Sequence, residues 1–164
     1  MDIILKAKHW QIFLLLIVPM IVVEFIAEPI YKVLIFVFWT LLFFGWLLLV
    51  HQNLTECLPK RVILSSSLFI INIFVLTIAL CGVNLFMEPG EVLILEGVWA
   101  LIGCYCIFAF VQVFYSTAKR LVSVEQGRES SMGECMGETL LLMFFPLGIW
   151  FIQPRIKAAF AKNQ

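Results

Sequence analysis

Thr139-Leu-Leu-Leu-Met-Phe-Phe-Pro-Leu-Gly-Ile-Trp-Phe-Ile-Gln-Pro-Arg155 is the stretch on which the fold turns. From Thr139 to Ile152 it runs 14 residues without a charge. A straight helix crossing the hydrocarbon of a bilayer needs about 20. Pro146 removes a backbone donor and Gly148 loosens the chain inside the run, and Gln153-Pro154-Arg155 is expected to stop it at a polar surface. The stretch therefore either crosses a thinned bilayer, dips in and returns, or lies in the interface. That choice decides on which side the basic residues after it fall.

Around this stretch the chain is too apolar for a soluble core. Of 164 residues 63% are hydrophobic and 13% charged, with a mean hydropathy of +1.05. These values place it among all-α polytopic membrane proteins forming a single integral domain, 1–164. Four transmembrane helices are expected at about 10–27, 30–51, 62–86 and 92–115, with a C-terminal re-entrant, interfacial or short fifth hydrophobic helix at about 138–152. The fourth helix is expected to continue into the aqueous phase, and 118–137 reads as a cytoplasmic helix extension and loop broken at Gly127. The first apolar run, which carries Pro19 and Glu24 and lacks a small-residue cleavage site, reads as a permanent helix rather than a signal peptide.

Charge fixes the orientation. Lys6 and Lys8, Lys60 and Arg61, and Lys119, Arg120 and Arg128 fall on one side of a four-span chain, which the positive-inside rule makes cytoplasmic. The opposite side receives Glu24, Glu28, Glu88, Glu91 and Glu96, with Lys32 as its one base. A fully crossing fifth run would carry Arg155, Lys157 and Lys162 outside, against the rule. A re-entrant or interfacial element with both termini cytoplasmic satisfies it.

Few residues point to chemistry. Glu24, Glu28 and Glu96 near helix ends could ring an acidic outer mouth that attracts cations, as in cation channels, or simply mark the headgroup boundary. On the third helix Thr77 and Asn84 share a face and Asn72 points elsewhere, so these side chains either line part of a wet path or bond between helices. Pro146, Gly148, Trp150, Gln153 and Arg155 make the C-terminal segment a candidate gate or assembly element. Lys119, Arg120 and Arg128 are candidate contacts for an anionic lipid or ligand. His9 and His51 could face each other as haem ligands, but nothing else in the chain supports haem, and no cofactor is expected. Ser65-Ser66-Ser67 lacks any nearby base, and no zinc-protease, nucleophile-elbow or phosphate-loop motif occurs, so an enzyme is not expected. Five scattered cysteines include no Cys-x-x-Cys pair, and no basic tract suggests nucleic acid.

Lys8-His9-Trp10-Gln11, together with Phe144-Phe145-Pro146-Leu147-Gly148-Ile149-Trp150-Phe151-Ile152-Gln153-Pro154-Arg155-Ile156, resembles a group of small bacterial membrane proteins of Bacteroidota type that bracket a variable middle with the same words. The resemblance covers about a tenth of the chain and implies a bacterial inner-membrane protein, without an activity to transfer. The residues leave three expectations. One is a small homo-oligomeric ion channel or pore-forming effector, another a structural or assembly subunit beside a larger membrane complex, and the last a membrane enzyme or haem carrier.

Overall fold

A computed structural model of the protein describes residues 8–87 and 96–161. Within them the fold is all-helical, with α1 at His9–Glu24, α2 at Pro29–Glu56, α3 at Ser67–Phe86, α4 at Val98–Gln126, α5 at Met132–Met143 and α6 at Phe145–Ala161. Lys6, Glu88, Glu91 and Lys162, used above to orient the chain, lie outside the described residues, as does the expected start of the fourth helix at residue 92.

Three helices, α2, α3 and α4, are long and apolar enough to cross a membrane. The expected first span has 16 residues, and its helix ends at Glu24 rather than at residue 27. Pro19 sits inside α1, where its ring disturbs the preceding turn and its missing N–H leaves the Leu15 carbonyl without a helical donor. In that turn the indole N–H of Trp39 on α2 donates to the Leu16 carbonyl at 2.7 Å. Pro29 opens α2 at its first position, where no helical N–H is required. The Glu-Pro turn thus joins α1 to α2 as its residues dictate.

The α3 boundary departs from the expectation of a span opening at 62. Residues 57–66 are irregular, and the helix starts at Ser67, whose N–H meets the Ser65 hydroxyl at 3.4 Å. Serine competes with the helix for its own backbone groups and favours such positions. α4 runs unbroken from just after Gly97 to Gln126. It ends on Gly127 in the left-handed region, φ 68°, the conformation glycine reaches without a Cβ penalty.

After this turn the expected loop over 127–137 is largely helix. Ser131 caps α5, with its backbone N–H donating to the Glu134 carboxylate at 2.8 Å, and Ser-x-x-Glu is a helix-start signature. The expected single element at 138–152 is also corrected, because α5 and α6 are separate helices broken at Phe144. Pro146 falls in the first turn of α6, where proline is tolerated. The helix then runs through Pro154 to Ala161 instead of stopping there.

α5 and α6 form a hairpin. α5 descends against α4 with Cys135, Thr139 and Leu142 buried, and α6 returns against α1, α4 and α5 with Ile149, Ile152 and Ile156 buried at helical spacing. At the tip, Phe145 packs edge-on against Phe43 near the middle of α2, with ring centroids 4.9 Å apart. Gly148 is obligatory here. A Cβ on it would stand 1.8 Å from the Leu141 carbonyl oxygen, so only glycine lets the two arms approach this closely.

The buried core gathers at one end of the molecule. It takes the second half of α2 from Phe43 to Leu54, the start of α3 at Phe69 and Ile73, the stretch of α4 from Val113 to Val122, and the hairpin. At the opposite end, α3 and α4 expose large apolar side chains, among them Ile78, Leu85, Phe86, Leu101, Ile107 and Phe108.

Candidate functional site

The polar side chains concentrate where the core does, and they converge on Arg120. This arginine is 2% exposed. Its Nε donates to Thr55 Oγ1 at 2.9 Å, and its Nη1 to the Ser116 hydroxyl at 2.8 Å and the Ser116 carbonyl at 3.2 Å. Its Nη2 reaches the carbonyls of Leu64 and Ser65, at 3.2 and 2.9 Å, and the Ser66 hydroxyl at 3.0 Å. The planar fork of five donors is therefore engaged by α2, by the α2–α3 connection and by its own helix.

Every acceptor in this set is neutral. A buried cation is normally paired with a carboxylate or kept near water, and here the compensation comes from oriented carbonyl and hydroxyl dipoles. Arg120 thus supplies hydrogen bonds to carbonyls in a connection that has no helix of its own to satisfy them. The expectation that Arg120 joins Lys119 and Arg128 as a surface contact for anions is corrected, since burial and full use of its donors take it out of that role. The two others are exposed to different degrees and already engaged, Lys119 with Glu129 at 2.7 Å and Arg128 with Glu134.

His51 lies beside this cluster, with Nε2 3.4 Å from Ser66 Oγ and its ring flat against Phe69. The reading of Ser65–Ser67 as having no base nearby is therefore corrected, because the fold supplies one from 15 residues upstream. The imidazole of this pair is shut off from solvent. His51 is 1% exposed, and the Arg120 guanidinium already donates to the same hydroxyl. The imidazole is held between Ser66 and Phe69, whereas the side chain of His9, the second ligand that a haem site here would need, is outside the described residues.

Next to Arg120 on α4, a second knot ties the α4–α5 turn. Ser130 is 2.9 Å from Ser123 through their hydroxyls, donates to the Lys119 carbonyl at 3.1 Å, and meets the Cys135 sulfur at 3.0 Å. Cys135 is fully buried. The hairpin's return arm is closed by Arg155, which binds Glu125 of α4 through Nε–Oε1 at 2.8 Å and Nη2–Oε2 at 2.6 Å, and Glu138 of α5 through Nη1 at 2.9 Å. One side chain fastens the last helix to both of its predecessors. Gln153 is buried beside it, and Trp150 packs edge-on against Phe13 of α1 with centroids 5.8 Å apart.

No family model matches the chain, and comparison with curated proteins and with solved structures returns no match.

The remaining candidates lie apart from this cluster. Asn72 of α3 is buried, donating to Gln112 Oε1 at 3.0 Å and accepting from the Tyr105 hydroxyl at 2.7 Å, both on α4. Thr77 and Asn84 turn back onto their own helix, donating to the Ile73 and Leu80 carbonyls. Glu24, Glu28 and Glu96 are exposed at helix ends. Reading the sequence missed Gln112 and Tyr105 as partners of Asn72. A polar residue on each of two antiparallel neighbours is the signal that could have paired them.

Proposed function

We propose that this protein is an assembly subunit of a bacterial inner membrane, with both termini cytoplasmic, in which a rigid cytoplasmic end holds α3 and α4 open for other membrane helices. The observation that carries this reading is the exposure of the α3 and α4 end opposite the hairpin. A helix packed in a bundle hides one face, but there α4 exposes Leu101 with Ile102 and Ile107 with Phe108, pairs that point about 100° apart around the axis. The polar side chains of α3 are meanwhile engaged within the chain, leaving van der Waals packing as the means of association.

Photocrosslinking in native membranes tests this. A crosslinker in place of Phe74 or Phe108 is expected to form protein adducts, either with a second copy or with another subunit. Adducts with lipid alone would contradict it.

A homo-oligomeric channel with Glu24, Glu28 and Glu96 at its mouth is the competing reading, favoured by the exposure of all three carboxylates. Asn72, Thr77 and Asn84 would have to leave their present partners to line its path. Cation flux through reconstituted liposomes that falls with Glu24→Gln and Glu96→Gln supports the channel, and liposomes without flux support the assembly role.

A further inference from the structure

Between α1 and α2 lies a half-open groove of about 190 Å³, floored by Pro19 and Trp39, walled by Met20, Val23 and Phe36, and carrying Glu24 at its rim. Its origin is local. Pro19 disturbs the helical turn on one side, while the Trp39 indole is held to the Leu16 carbonyl just beyond the floor. The volume accommodates about six groups the size of a water or methylene, and the lining is mostly apolar.

α1 ends and α2 begins close to this mouth, which on the proposed topology lies at headgroup level. Glu24 presents a carboxylate there. Lys32 stands one turn from Phe36 on α2, on the same side of the helix, and is exposed. Glu24 thus lines the slot, and Lys32 stands one helical turn beyond its lining on the same side of α2.

We propose that this groove binds one phospholipid with a primary-ammonium headgroup, its ammonium on Glu24, its phosphate toward Lys32 and the upper part of one acyl chain in the slot. An anionic glycerol-headed lipid satisfies Lys32 but meets Glu24 with like charge. A trimethylammonium head keeps the charge and loses all three N–H donors.

Native mass spectrometry of the detergent-purified protein, titrated with phosphatidylethanolamine, phosphatidylcholine and phosphatidylglycerol of identical chains, tests the proposal. One phosphatidylethanolamine is expected to be retained roughly three-fold or more over either competitor, the scale of one partly screened ion pair. Glu24→Gln is expected to abolish the preference while leaving chain-driven binding, and Val23→Phe, which fills the slot, to weaken binding of all three lipids. Equal retention of the three lipids by the unaltered protein, preference for the anionic lipid, or a preference that survives Glu24→Gln each overturns it. The headgroup comparison needs no variant and stands even if a substitution impairs folding.

Discussion

Arg155 grips Glu125 through two parallel hydrogen bonds, 2.8 and 2.6 Å long, across 30 residues of chain. Together with its bond to Glu138, this contact sets the return arm of the hairpin against α4 and α5. Replacing Arg155 with alanine is expected to lower the unfolding free energy by about 1–2 kcal/mol, a figure reduced for partial exposure of the three charges. The loosened hairpin would uncover Cys135, buried in the intact fold. Peptide-resolved thiol labelling checks this, with faster modification of Cys135 in the variant expected.

Gly148 and Gly137 make a matched pair. A methyl group at 148 meets the Leu141 carbonyl, whereas one at 137 finds nothing within 4 Å. Gly148→Ala is expected to cost about 2–3 kcal/mol through forced separation of the arms. Gly137→Ala, inside α5, is expected to stabilise by about 0.5–1 kcal/mol through reduced backbone entropy of the unfolded chain. Thermal unfolding in one detergent compares them.

Arg120→Lys keeps the charge but not the fork. Lysine's three donors cannot reach acceptors on α2, the α2–α3 connection and α4 together, so buried oxygens lose partners at about 1–3 kcal/mol each. The expected outcome is a lower midpoint of unfolding with faster proteolysis between 57 and 66. A variant as stable as the parent would remove Arg120 from the centre of this end of the fold.

Glu134 carries a pH dependence. Its hydrogen bond from Arg128, and then that from the Ser131 backbone, hold its carboxyl below the ordinary glutamate value of 4.5. Because the folded value is the lower one, the stability it confers is complete above about pH 4.5 and is lost as the pH falls through the folded value. The Ser131 amide resonance is expected to titrate below the ordinary glutamate range, and Glu134→Gln to remove that titration.

What could be read in advance follows from the range of the interactions. The Glu28-Pro29 turn and the break at Gly127 rest on φ restriction within a few residues, so the sequence shows them directly. The capping box from Ser131 to Glu134 is equally local, but the Ser/Gly-rich run over 127–137 that contains it reads as a loop. Pro154 by itself signals a stop, yet buried Ile152 and Ile156 and the anchored Arg155 carry the helix through it. Arg120 reads as a surface base beside Lys119 on its charge alone. Its place four residues after Ser116 and seven after Val113 puts it on the buried row of α4, and its partners at 55 and 64–66 are visible only once three helices have met.

On the proposed topology the end of α4 and the end of α6 share one face of the membrane, and the hairpin tip lies inside it. In a background with the native cysteines replaced by alanine, a membrane-impermeant thiol reagent applied to sealed vesicles of either orientation reads this directly. Gln126→Cys and Ala158→Cys are expected to label from the same face, Ala27→Cys from the other, and Phe144→Cys from neither. Labelling of Ala158→Cys from the face that labels Ala27→Cys would mean that the C-terminal segment crosses, and would contradict the proposed topology.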